Sequence, residues 1–267
     1  MGYVHGYSDR ESVRLTEQAD ALEDLLLSDT AYPPGSAVLE AGCGVGAQTI
    51  PLARRSPSAR ITAIDLSAPS LDAARRRAVA AGLTSVTFQQ ADLQRLPFGV
   101  GTFDHVFVCF VLEHLQNPST ALRELRRVLR PGGTIICIEG DHGSFLHHPR
   151  TDASVDAWNC LIEVQAELGG DAFIGRRLFP LLREAGFLVQ SVSPRVVYAD
   201  ARSPEMRDVF ARKIIAGMVE GIGESATDHS LISPARFQAG LADLLGLARS
   251  SEATLCYTFF KAHGTRG

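Results

Sequence analysis

The segment Val38-Leu39-Glu40-Ala41-Gly42-Cys43-Gly44-Val45-Gly46 constrains this chain more than any other. An apolar strand enters a turn with glycines at alternate positions, and a helix-compatible run, Ala47-Gln48-Thr49-Ile50, follows. Glycine lacks a Cβ and tolerates positive φ, so a ligand can approach such a turn closely. The helix start beyond it is expected to present unpaired N–H groups. A strand, a glycine turn and a helix in succession build a nucleotide-type cofactor site within a parallel α/β sheet.

The glycine spacing alone does not select the cofactor. A dinucleotide fingerprint reads G-x-G-x-x-G or G-x-G-x-x-A; here the third glycine, Gly46, comes one position early and Ala47 follows. Glu40, two residues before Gly42, is more selective. A pyrophosphate there meets a carboxylate, and like charges ~4 Å apart repel by ~4 kcal/mol at an effective dielectric near 20. A ligand with a sulfonium and an amino group has the opposite preference. Glu40 therefore favours S-adenosylmethionine (SAM) over NAD. Asp65 ends a second strand, Ile61-Thr62-Ala63-Ile64, nineteen positions past Gly46, where an acid reaches ribose hydroxyls. Leu66 follows it. After a third strand, Val86-Thr87-Phe88, Asp92 is placed to accept the adenine amino group, with Leu93 against the ring.

These segments, with Phe103-Asp104-His105-Val106-Phe107-Val108 and Leu129-Arg130-Pro131-Gly132-Gly133, come in the order of the class I SAM-dependent methyltransferases, which residues 35–140 resemble. The resemblance implies a Rossmann-like sheet of seven mostly parallel strands, the last antiparallel, with helices on both faces. It also implies SAM as cofactor and S-adenosylhomocysteine as product. The cofactor-binding set expected on this basis is Tyr7, Glu40, Gly42, Cys43, Gly44, Gly46, Gln48, Asp65, Leu66, Asp92, Leu93, Cys109 and His114. The whole chain resembles bacterial small-molecule methyltransferases, many of them tied to quinone or natural-product metabolism.

The 267 residues suit a single methyltransferase domain. Its core is read as residues 30–140, 171–198 and 252–263, and a helical lid over the strand ends as 1–28, 141–170 and 199–250. Ser8-x-x-Glu11 is a capping-box signal opening a helix with Leu15, Ala19, Leu22 and Leu26 on one face. Near-continuous apolar runs such as Phe107-Val108-Cys109-Phe110-Val111 mark parallel strands buried on both faces. Residues 141–150 read as irregular, 151–168 as an amphipathic helix, 187–197 as a strand, 203–222 and 233–249 as helices, and 254–260 as the last strand. The five cysteines, with no C-x-x-C pair, read as small core residues in a reducing compartment. The start of the chain does not resemble a signal peptide and no apolar run spans a bilayer, so a cytoplasmic protein is expected.

Methyl transfer from a sulfonium is an in-line displacement needing proximity, orientation and exclusion of water rather than a metal or a covalent intermediate. His142 is the first candidate proton acceptor or substrate-orienting group, since a free histidine titrates near neutrality, and Asp141 is its candidate partner. No metal site is assigned, because the spacing of Asp141, His142, His147 and His148 is not specific. For the acceptor, Phe145, Trp158, Phe173 and Tyr198 are candidate contacts. Together with Met206, Phe210, Met218 and Phe237 they tilt the reading toward a hydrophobic or aromatic metabolite. The absence of an obvious strong base slightly favours carbon or nitrogen over oxygen as the methylated atom. Nucleic acid is disfavoured: the net charge is −4, the segment after the fourth strand reads Cys109-Phe110-Val111-Leu112 rather than Asn/Asp-Pro-Pro-aromatic, and no Pro-Cys pair occurs. The helices at 203–222 and 233–249 leave a homodimer open. The alternatives are a SAM-binding protein that transfers no methyl, such as a cyclase or regulator, and more remotely an NAD-dependent oxidoreductase.

Overall fold

Apolar runs such as Val106-Phe107-Val108 and Ile135-Ile136-Cys137-Ile138 set the buried central strands. The computed structural model describes residues 9–267, with side chains from residue 11 onward. Tyr7 and the expected cap at Ser8 lie outside the described residues. Seven strands form one sheet: β1 (Ala37–Ala41), β2 (Arg60–Asp65), β3 (Val86–Gln90), β4 (Phe103–Cys109), β5 (Leu129–His148), β6 (Phe187–Ala199) and β7 (Thr254–Arg266). Their spatial order is β3-β2-β1-β4-β5-β7-β6. From β3 to β5 neighbouring strands are parallel, and Ala41 at the end of β1 pairs with Ile64 of β2 and Val108 of β4. The order reverses between β1 and β4. Open α/β sheets bind their ligands beyond the carboxyl ends of the strands at such a switch point.

The helices are α1 (Asp9–Leu27), α2 (Thr49–Arg55), α3 (Ala68–Ala80), α4 (Pro118–Val128), α5 (Asp152–Glu167), α6 (Leu178–Glu184), α7 (Pro204–Asp208), α8 (Ala216–Gly221), α9 (Gly223–Asp228) and α10 (Pro234–Gly246). Their starts follow from local chemistry. Ser67, Asn117 and Ser233 accept backbone N–H groups in the first turns of α3, α4 and α10, each with proline in that turn, and Thr151 makes a reciprocal box with Ser154 in α5. In α4, Ala121, Leu122, Leu125 and Val128 form a buried stripe, packed with Leu39, Val106, Val108 and Ile135 of the sheet. Burying a side chain of this kind contributes about 1.5–3 kcal/mol. Among the described residues no helix is long and apolar enough to cross a membrane.

The chain divides into two compact units. The first is Met1–Ala21, Asp141–Phe173 and Val196–Thr258; the second is Leu22–Gly140, Ile174–Arg195 and Phe259–Gly267. Within the first, α5 and α10 pack closely: a Cβ on Gly240 would lie 2.2 Å from the carbonyl oxygen of Ala153. The same unit contains a π-helical segment, Val209–Ile215, between α7 and α8.

Four local expectations need correction. Residues 141–148 are not irregular but continue β5, where the Thr258 N–H donates to Ser144 Oγ at 2.8 Å. Residues 203–222 form α7, the π-helical segment and α8 rather than one regular helix. β7 runs on to Arg266, and α2 begins at Thr49, two residues later than the run after the glycine turn suggests.

Candidate cofactor site and acceptor-side cluster

In the second unit, β1 delivers Glu40 and the glycine turn to the switch point. Gly42, Gly44 and Gly46 all have positive φ, at 77°, 51° and 78°. Gly42 is needed for space as well, since a Cβ there would lie 2.6 Å from a Val111 methyl. Gly46 similarly abuts Ala74 of α3. At Gly44 an added Cβ would meet nothing within 4 Å, so this is the face a ligand can approach.

The amides of the turn itself are engaged within the chain. Gly42 and Cys43 N–H both donate to Ile64 O at 2.8 Å, Gly46 N–H donates to Cys43 O at 2.9 Å, and Gly44 N–H donates to Asp65 Oδ2 at 2.8 Å. A pyrophosphate needs such donors; here these four are engaged within the chain. Asp65 does more than the sequence indicates. One oxygen fastens the turn and the other accepts Ser67 N–H at 2.8 Å. Burial raises its carboxyl above the ordinary range, partly opposed by backbone N–H groups of Ser67, Gly44 and Leu66.

Glu40 is buried, and burial pushes its carboxyl up to about 7, with the Thr49 hydroxyl opposing and Asp65 adding to the shift. Its Oε2 and the Oε1 of Gln48 are buried without a partner among the described residues. An unmet buried polar group costs about 1–3 kcal/mol. A cation at the turn would offset that cost by favouring the ionised carboxylate. The residues present therefore fit a sulfonium- and ammonium-bearing cofactor and fit a dinucleotide poorly.

Leu66, 55% exposed, presents an apolar side chain beside Asp65. Asp92 is exposed and accepts Gln94 N–H at 2.8 Å in a turn, while Leu93 is buried. Cys43 and Cys109 are buried thiols held protonated: burial raises both, and neighbouring carboxyls, Glu40 and Asp65 for Cys43 and Glu139, Glu40 and Glu113 for Cys109, add to it. His114 is half-buried with Nε2 3.5 Å from Glu113 Oε1.

In the first unit, β5 carries Asp141 and His142, both buried. His142 Nδ1 lies 2.7 Å from the Tyr257 hydroxyl, its N–H donates to Ala172 O at 2.8 Å, and its carbonyl accepts Trp158 Nε1–H at 2.9 Å. Phe145 packs on Trp158 and Phe210 on Tyr257, with ring centroids 4.7 and 5.8 Å apart. Burial, with the Arg14 guanidinium adding, lowers His142 to about 4, so it is neutral at physiological pH. Asp141 Oδ1 accepts Gly143 N–H at 3.1 Å. Phe145 and Trp158 thus stand with His142, whereas Phe173 and Tyr198 are exposed. Tyr257 is absent from the sequence-based set because an alternating strand gives no signal for a hydroxyl 115 residues from its partner. Among the described residues no group of three or more histidines, cysteines and acids is arranged to hold a metal ion.

The topology and the acid-lined turn define a nucleotide-type α/β cofactor domain. Residues 39–137 match the family described as methyltransferase domain. A 37.1 kDa protein of transposon Tn4556 from Streptomyces fradiae is 33% identical over 232 residues, covering 84% of this chain and 66% of that protein. Demethylmenaquinone methyltransferase of Staphylococcus aureus (strain JH9) is 32% identical over 124 residues, 46% of this chain and 51% of the relative. The chain thus spans between half and two thirds of the length of these curated relatives. Among solved structures, the [4+2]-cyclase SpnF shares the fold at a TM-score of 0.57 and 21% identity, over 94% of this chain and 80% of that one. Residues 39–137 thus form a methyltransferase domain within this chain.

Proposed function

We propose that this chain transfers a methyl group from SAM to a small hydrophobic or aromatic metabolite, with carbon or nitrogen favoured over oxygen as the receiving atom. The observation that carries the reading is the buried Glu40 beside Asp65 at a turn whose amides are engaged internally. Glu40, Asp65 and the open face of Gly44 would hold the cofactor's charged and ribose groups. Leu66, Asp92 and Leu93 would serve its adenine, and Cys43, Gln48, Cys109 and His114 the remaining walls. When bound, SAM supplies an electrophilic methyl and is left as S-adenosylhomocysteine.

The chain's own contribution is placement, which supplies about 7–11 kcal/mol in well-oriented reactions. His142 is neutral, and its ring is fixed through Nδ1 by the Tyr257 hydroxyl. With affinity for a proton only near pH 4, it orients the acceptor by hydrogen bonding and accepts a proton as methylation makes the acceptor more acidic. Trp158 and Tyr257 pack beside it, backed by Phe145 and Phe210, and this apolar surface supports an uncharged aromatic or hydrophobic acceptor.

The test is methyl-labelled SAM incubated with the protein and a cell extract, followed by mass identification of labelled material. A labelled small molecule is expected. SAM binding with no labelled product would favour the non-transferring alternative, and affinity for NADH without affinity for SAM would overturn the cofactor assignment. Label in nucleic acid would overturn the acceptor class. Light scattering tests whether the chain forms the homodimer that its sequence leaves open.

A further inference from the structure

Glu139, on β5, is buried completely and is not among the residues assigned above to cofactor or acceptor. Its Oε1 accepts two backbone N–H groups from the loop after β4, Val111 at 3.0 Å and Leu112 at 2.8 Å. We propose that Glu139 is a positioning residue of the SAM site, strapping the loop at residues 110–112 into the one shape that closes against the glycine turn. The proposal rests on the SAM reading of that turn.

Three observations support the strap. Phe110 opens the loop at φ 57°, a left-handed conformation that non-glycine residues rarely adopt and that persists only when its surroundings enforce it. Its N–H is held by Ile138 O at 2.9 Å, one residue before Glu139, so β5 grips the loop at consecutive positions. Next, the strapped Val111 places its methyls 2.6 and 2.8 Å from where a Gly42 Cβ would stand, so any shift of the loop is felt at the turn. Finally, β5 is closely packed at the residue that holds the loop. Gly175 presses on it so closely that a Cβ there would lie 2.7 Å from Gly140 O and 3.0 Å from Glu139 O.

The strap needs an acceptor oxygen at the right reach and does not need a charge. Burial, with Glu113 adding, raises the Glu139 carboxyl well above the ordinary carboxylate range, while the backbone N–H groups of Leu112, Val111 and Glu113 oppose the shift. A glutamine has the same reach and a carbonyl oxygen. An aspartate keeps the carboxyl but falls one methylene short. The two conservative variants therefore separate reach from charge.

The experiment measures SAM affinity by calorimetry, with thermal unfolding and amide exchange at Val111 and Leu112, in wild type, Glu139→Gln and Glu139→Asp. Glu139→Gln is expected to keep SAM affinity within about threefold and to keep both amides protected. Glu139→Asp is expected to weaken SAM at least about tenfold and to expose both amides. The reverse order would make charge the decisive property and overturn the proposal, as would wild-type affinity in both variants. Where Glu139→Asp does not fold, the amides decide: protection in wild type and Glu139→Gln upholds the strap, and fast exchange in either overturns it. Wild type that binds no SAM refutes the cofactor reading instead, and amide exchange in the three proteins still tests the strap.

Discussion

Replacing Glu40 by glutamine should make the ligand-free protein more stable and a poorer SAM binder. The buried carboxyl titrates at about 7, against 4.5 for an ordinary glutamate. The folded state holds the proton to higher pH than the unfolded state. Stability therefore falls as pH rises from about 4.5 to about 7, and is level beyond. At 1.36 kcal/mol per pKa unit the difference is at most about 3 kcal/mol, borne in full above pH 7. Glutamine carries no such titration. Glu40→Gln should gain up to that amount at pH 8, raising Tm by up to roughly 6–12 °C at 2–4 °C per kcal/mol. The same change removes the attraction to a sulfonium or ammonium. Charges ~4 Å apart interact by ~4 kcal/mol at an effective dielectric near 20, so SAM affinity should drop at least about tenfold. Scanning fluorimetry from pH 5 to 8 and calorimetry with SAM read both arms. A variant that is less stable at pH 8 and binds SAM as tightly as wild type would refute the reasoning.

Other substitutions probe separate links. Asp65→Ala removes the acceptor for Gly44 and Ser67 N–H together with the ribose partner, and should weaken SAM more than about tenfold; unchanged affinity in calorimetry contradicts the assignment. His142→Ala should spare SAM binding and lower methyl transfer. Because burial depresses this histidine to about 4, the wild-type rate should show no His142 inflection between pH 6 and 8 and should fall only as pH approaches 4; a loss of activity centred near 6.5 that His142→Ala abolishes would show an ordinary solvated imidazole. Gly240→Ala places a Cβ 2.2 Å from Ala153 O and should destabilise the α5–α10 pair by about 1–3 kcal/mol; an unchanged unfolding midpoint would show that the helices separate freely.

Much of the frame was legible in the chain itself. The alternation of apolar runs with glycine- and proline-bounded helices is local information. The acids at the ends of β1 and β2 announce themselves by their place beside a glycine turn. What the linear order cannot carry is pairing at a distance. Asp65 fastens Gly44 from 21 residues away, Glu139 straps Leu112 from 27, and Tyr257 reaches His142 across 115. Each depends on which strands become neighbours, and that order is decided when the whole sheet closes its core. The turn shows the division most clearly. Its glycines and Glu40 were set by residue type alone, because backbone freedom and charge travel with the residue. Whether its amides faced a ligand or the chain depended on β2 lying alongside, where Ile64 and Asp65 accept three of them.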